Sequence, residues 1–148
     1  MKIINIGSLN IDYVYQVDDF VAGGETKLSE SMQIFSGGKG LNQSIALKRA
    51  GAEVYHGGLI GSDGIFLKEL LQREGVNIDF ISTVEGSTGH AIIQVNKYGE
   101  NCILLFGGAN QLFKEEGIDT ILSSCNKGDY VLLQNEINHM HYILDQYL

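Results

Sequence analysis

The chain has 148 residues, 44% of them hydrophobic, and its 10 basic against 18 acidic side chains leave a net charge of −8. A chain of this size buries roughly 68–70% of its unfolded surface, enough for one domain with its own core, which excludes an intrinsically disordered chain. The acidic balance argues against nucleic acid or an anionic membrane as main partner, since both select basic surfaces, and leaves a small neutral substrate as the better fit.

Short β-branched runs alternate with helical periods, the pattern of an α/β domain whose parallel strands are covered by crossover helices. The first strand is expected over residues 3–9. Residues 13–20 and 28–35 follow as strands around the turn-rich Ala22-Gly23-Gly24-Glu25. Leu41, Ile45 and Ala46, with Lys48 and Arg49 turned outward, predict a helix that Gly51 stops. Residues 54–60 read as a second buried strand. Asp63 is placed to cap a helix carrying Phe66, Leu67, Leu70 and Leu71 and ended by Gly75. Residues 91–95 and 102–106 flank Lys97-Tyr98-Gly99-Glu100 as a hairpin. Ile118, Ile121, Leu122 and Cys125 mark a further helix, and residues 130–133 a third buried strand. Met140, Ile143, Leu144 and Tyr147 give a last helical period that reaches Leu148 without a capping glycine, as an interrupted helix would.

The strands without crossover helices, over about residues 13–35 and 89–107, predict a small antiparallel sheet projecting from the α/β body. Its uncovered edges point to a lid and a contact with a second copy of the chain. Cys102 and Cys125 form no metal or redox spacing and read as two buried thiols of a reducing compartment. Residues 3–6 follow Lys2 directly without a signal-type apolar stretch, and no apolar run of about 18 residues occurs, so a cytoplasmic protein is expected.

Ligands of open α/β sheets sit beyond the carboxyl ends of the strands, where Asn10, Asp12 and Glu136 stand in this sequence. Asn10 and Asp12, two apart on an extended chain, present an amide and a carboxylate to the same side, a pair suited to a polyol; shaping a turn is their plainer alternative. The segment from Ser36 to Gln43 is a glycine-dense loop opening into a helix, where absent Cβ atoms and free N–H groups attract anions or hydroxyls. It is neither a dinucleotide fingerprint, since Gln43 stands where the last glycine belongs, nor a P-loop, since Gly40 follows Lys39. His139 and His141 flank Met140 in a helical period and point apart, so they read as a solvated face, while His56 and His90 read as core or rim groups.

Taken in order, Gly7 to Asp12, Gly24-Glu25-Thr26, Gly37 to Gln43, Gly61-Ser62-Asp63-Gly64, Ser87-Thr88-Gly89 and Gly108-Ala109-Asn110 resemble the ribokinase-like (PfkB) carbohydrate kinases along essentially the whole chain. Val21 and Gly23 depart from that family's turn, where prolines are common. The resemblance implies a Rossmann-type parallel sheet with a β-lid, and transfer of phosphate from ATP, with Mg, to a sugar such as ribose. It implies that Asn10, Asp12, Gly37, Gly38, Lys39, Asn42 and Glu136 hold the sugar hydroxyls, that Gly37-Gly38 hinges the lid, and that Ala91 and Ile93 form its apolar cover. The family's Gly-Ala-Gly-Asp segment, whose Asp is the catalytic base, and its Asn-x-x-Glu motif associated with magnesium do not occur in this sequence. Gly128-Asp129 and Gly117-Ile118-Asp119 are the nearest approaches, and both sit in helix-to-strand connections. Residues 1–148 therefore read as the sugar-binding half of such a kinase, inactive in isolation, with a non-catalytic sugar-binding or interaction module as the alternative.

Overall fold

A computed structural model describes residues 1–147. Strand β1 (Ile3–Ile6) lies inside a four-stranded sheet of order β5-β4-β1-β8, whose other members are β4 (Val54–Ile60), β5 (Asn77–Thr83) and β8 (Tyr130–Leu133), with every pairing parallel. Alternation along these strands feeds two cores. Leu41 of helix α1 (Lys39–Arg49) and Leu67 and Leu71 of α2 (Ile65–Arg73) pack with Val54, Ile60 and Ile81. On the other side Ile118 and Ile121 of α3 (Glu115–Leu122) and Ile143 of α4 (Met140–Tyr147) pack with Ile4, Ile6 and Leu59. Gly51 and Gly75 follow α1 and α2 at φ 90 and 82, as the expected stops require.

A second four-stranded sheet has the order β3-β2-β6-β7, from β2 (Asn10–Gln16), β3 (Ser31–Gly37), β6 (Gly89–Val95) and β7 (Asn101–Phe106). It is mixed rather than antiparallel, because β2 and β6 run parallel. The cause lies in the body: β1 and β5 are parallel members of the first sheet, so the strands that continue from them leave at the same end in the same direction. The boundaries shift accordingly. The strand expected over residues 3–9 stops at Ile6, and the strand expected from residue 13 begins at Asn10. Strand β5, absent from the sequence reading, occupies the sheet edge.

Other expectations are corrected. Asp63 caps no helix; its Oδ1 accepts from the amide (2.9 Å) and hydroxyl (2.6 Å) of Thr88, tying α2's entry to the foot of β6. Cys102 is exposed and Cys125 only half-buried, so the thiols are not both core. His139 lies before α4 at φ 58, outside the helical period assumed for it. The expected helix end at Leu148 lies outside the described residues. Among the described residues no helix is long and apolar enough to cross a membrane.

A buried polar chain runs beneath α1. Asn5 on β1 donates from Nδ2 to Gly40 O (2.7 Å) and Ser44 Oγ (2.8 Å), and Ser44 Oγ meets His56 Nδ1 at 2.8 Å. Gln134 donates from Nε2 to Asn5 Oδ1 (2.8 Å) and Gln43 Oε1 (2.6 Å). These bonds fix the first turns of α1 to β1, β4 and the end of β8, and they replace water that fully buried amides would otherwise lose. His56 Nε2 has no partner within hydrogen-bond geometry among the described residues. Burial therefore holds the imidazole down from 6.5 to about 4, with the Gly7 backbone offsetting only part of the shift.

A neutral buried histidine stabilises the fold fully above its unfolded value, and that contribution is lost as pH falls through the folded one. Urea unfolding should therefore show on the order of 2 kcal/mol of pH-dependent loss between about pH 7 and about pH 4.5 that His56→Gln removes. An unchanged pH slope in the folded variant would contradict the assignment.

Candidate functional site

The site forms where the chain passes from body to lid. The loop after β1 delivers Ser8, β2 opens on Asn10, β3 closes on Gly37, and α1 begins at Lys39. Gly38 can make that passage because its φ of 97 suits glycine, and a Cβ there would lie 2.7 Å from Ser8 O. Gly37 pairs with Asn10 in register, and a Cβ on it would fall 2.2 Å from Asp12 Oδ2. The Asp12 carboxylate thus rests in the space that a side chain on Gly37 would fill.

Glu136, in the loop after β8, accepts at Oε2 from Ser8 Oγ (2.6 Å) and from Lys39 N (3.2 Å), and at Oε1 it pairs with Lys39 Nζ. The remaining amides at the start of α1 are also satisfied within the chain. Gly40 N donates to Ser8 Oγ (3.3 Å), Leu41 N to Ser8 O (3.0 Å) and Asn42 N to Gly38 O (3.1 Å). The amides of residues 39–42 are therefore not the free N–H groups expected of this loop. Its glycines serve close packing instead: a Cβ on Gly40 would lie 2.5 Å from Ser8 N.

Ser8, Asn10, Lys39, Asn110 and Glu136 line one cavity of about 360 Å³, with Leu105 of the lid on its rim. Asp12, Ala91 and Leu105 are paired across β2, β6 and β7, so they share one face of the lid, and Ile93 lies on that face two residues further along β6. Asn42 is exposed one helical step beyond, and its side chain has no hydrogen-bond partner among the described residues. A larger groove of about 440 Å³ lies between β5 and α3, lined by Leu59, Phe80, Phe113 and Ile121. It is mainly apolar, with Asp79, Lys114 and Glu116 also on its lining, whereas the smaller cavity brings the amides of Asn10 and Asn110 together with the paired Lys39 and Glu136.

The environment pushes the two carboxylates in opposite directions. Burial pushes the Asp12 carboxyl above the usual value of 3.8, and the neighbouring Glu136 charge adds to the rise. Burial acts on Glu136 too, yet the Lys39 ammonium, the Ser8 hydroxyl and the Lys39 amide outweigh it and hold Glu136 below 4.5. The sequence reading singled out neither Ser8 nor Asn110. Both sit inside the blocks Gly7-Ser8 and Gly108-Ala109-Asn110, but their partners are distant in sequence. Gln111, which donates from Nε2 to Glu136 O (2.9 Å), carried no signal at all.

Residues 1–147 match the family model of the pfkB family carbohydrate kinases. A ribokinase of Haemophilus influenzae is 40% identical over 134 residues, covering 88% of this chain and 44% of that protein. The ribokinase of Cryptococcus neoformans var. grubii serotype A, solved in complex with ADP, superposes with a TM-score of 0.82 at 35% identity, over 97% of this chain and 45% of that one. The Arabidopsis thaliana ribokinase complexed with ribose and ATP superposes with a TM-score of 0.76 at 29% identity, over 92% and 46% respectively. The chain spans less than half the length of these relatives.

Because the folded-state value of Asp12 is raised, its ionisation opposes folding: the stability it permits is present below pH 3.8 and is lost as pH rises through the folded value. Asp12→Asn should therefore raise the melting temperature at pH 7, and the gain should shrink as pH falls towards the usual carboxylate range. An equal or lower melting temperature at pH 7 would contradict the account of this carboxylate.

Proposed function

Because the chain belongs to the pfkB family of carbohydrate kinases, we propose that these residues form the sugar-binding half of an ATP-dependent carbohydrate kinase acting on a sugar hydroxyl. The observation that carries this reading is the convergence of Ser8, the amide of Asn10, the ammonium of Lys39 and the Glu136 carboxylate on one cavity, with Asp12 near enough for the Glu136 charge to act on its carboxyl. A sugar hydroxyl gives one hydrogen and accepts others, so it satisfies a carboxylate and an amide or ammonium at once. The ribose bound by the Arabidopsis relative makes a pentose the first ligand to try. The row of Asp12, Ala91 and Leu105, with Ile93 beyond it, would close over the sugar and exclude water, Gly37-Gly38 would act as the hinge, and Asn42 would reach the ligand from the first turn of α1.

ATP and Mg, which the resemblance implies, do not fit the residues present. The amides at the start of α1 are taken by Glu136, Ser8 and Gly38, and among the described residues no group of His, Cys, Asp or Glu is arranged to hold a metal. No phosphoryl step is assigned to these side chains, and the 148 residues alone are proposed to bind sugar without phosphorylating it. A homodimer through the lid is part of the proposal. Ile34, Tyr13, Ile92 and Leu104 form a cross-strand row on the face opposite Asp12, with Ile34 52% and Leu104 69% exposed. The same row favours a second reading, a non-catalytic sugar-binding or interaction module derived from this fold. Cytoplasmic residence is proposed with the kinase reading.

Calorimetric titration of the chain with D-ribose should show saturable binding, and Asp12→Ala and Glu136→Ala should each weaken it by on the order of tenfold or more, as loss of a charged hydrogen-bond partner does. ATP and ribose together should yield no sugar phosphate. A folded chain that ignores ribose and related sugars would remove the sugar reading, and sugar phosphate made by these residues alone would remove the claim that they are half a catalyst.

A further inference from the structure

Asn110, on the 3-10 turn Gly108–Gln111, is 1% exposed and touches both polar groups of the Leu9 backbone. Its Oδ1 accepts from Leu9 N at 3.0 Å, and its Nδ2 donates to Leu9 O at 3.2 Å and to Asn10 Oδ1 at 2.7 Å. A backbone N–H only donates and a backbone carbonyl only accepts, so Leu9 alone decides which end of the Asn110 amide is nitrogen. That polarity is passed on. The Asn10 atom facing Asn110 Nδ2 must be its oxygen, and the Asn10 nitrogen, which has no partner among the described residues, is left for the cavity shared with Ser8, Lys39 and Glu136.

The pair is also confined. A Cβ on Gly89 would fall 2.1 Å from Asn110 Nδ2 and 2.4 Å from Asn10 Oδ1, so the two amides sit against bare backbone. Turning the Asn10 amide over would set nitrogen against nitrogen in a buried place and forfeit a hydrogen bond, a preference on the order of tenfold for the orientation seen.

We propose that Asn110 is a positioning residue that locks the Asn10 amide with its NH2 towards the ligand, so that the site requires a hydrogen-bond acceptor at Asn10 while Asp12 and Glu136 require donors. The proposal rests on the sugar-site reading for its ligand but not for its geometry. A hydroxyl supplies both functions through one oxygen. An ammonium group has no lone pair for Asn10, and an ether oxygen has no hydrogen for the carboxylates, so ligands bearing either in that place are rejected.

The test has two readings on the isotope-labelled chain. Without ligand, nuclear Overhauser contacts of the side-chain amide protons should show one Asn10 orientation, with the Asn110 NH2 protected from solvent exchange. Asn110→Asp, which keeps the acceptor for Leu9 N but removes the donor, should turn the Asn10 amide over. With ligand, titrations compare ribose analogues in which a hydroxyl is replaced by fluorine, an acceptor, or by hydrogen. At one ring position the wild type should prefer fluorine by on the order of tenfold, and Asn110→Asp should reduce that ratio to within about twofold. A purely structural role would weaken both analogues together and leave the ratio unchanged. Two Asn10 orientations in the wild type, or the wild-type orientation retained in the folded variant, would overturn the proposal. If the variant fails to fold, the wild-type spectrum still decides. If the wild type binds no sugar, the sugar reading fails while the Asn10 orientation is still read.

Discussion

The Glu136 carboxylate joins three parts of the chain that would otherwise only be neighbours. It takes the Ser8 hydroxyl from the end of β1 across 128 positions of sequence and both nitrogens of Lys39 from the start of α1 across 97. Its backbone carbonyl holds Gln111 at the foot of the lid. A carboxylate at the positive end of α1 satisfies that helix start from within, so the place where this fold could hold an external anion is already filled. What remains open beside it is an array of donors and acceptors suited to a neutral, hydroxyl-rich ligand.

That arrangement divides the burden of burial unequally between two carboxylates. Glu136 keeps its charge because Lys39 and Ser8 surround it, whereas Asp12 lies against Gly37 with burial and the Glu136 charge both acting against its ionisation. A group held in a state the fold does not favour is a common mark of a binding site, because the ligand supplies the partner that the protein withholds. Below this layer the chain from His56 through Ser44 and Asn5 to Gln134 fixes α1, and with it Lys39, to the sheet. Rigid support beneath a partly unsatisfied pocket is consistent with sugar recognition. Family membership is the independent ground for that reading, and less than half of each relative's length is represented here.

Much of this was legible in the residues. The helix from Lys39 ends at Arg49, just before Gly51, because the apolar period and the glycine agree, and β4 and the 89–107 hairpin follow from short apolar runs bounded by turns. Strand β5 escaped notice because it begins right after Gly75 with Asn77 and Asp79 interleaved, the alternation of an edge strand rather than a continuous apolar run. The parallel pairing of β2 with β6 could not be read locally, since direction is inherited from where each strand leaves the body. Asp63 looked like a cap because residue type and spacing allowed it, but Thr88 offered two donors instead of one. Of the residues that line the cavity, Asn10, Lys39 and Glu136 stand at strand ends or in family blocks of the sequence, and Asp12 lies beside them on β2. Ser8 and Asn110 were not singled out, because their roles depend on partners more than a hundred residues away.

Hydrogen–deuterium exchange with and without ribose tests whether the crossings between the two sheets converge on one hydroxyl-binding cleft. Ribose should slow exchange together in residues 8–12, 37–42 and 134–138, while residues 77–84 and 112–121 around the larger apolar groove remain unchanged. Protection confined to that groove, or spread evenly over the chain with no concentration at the crossings, would contradict that convergence.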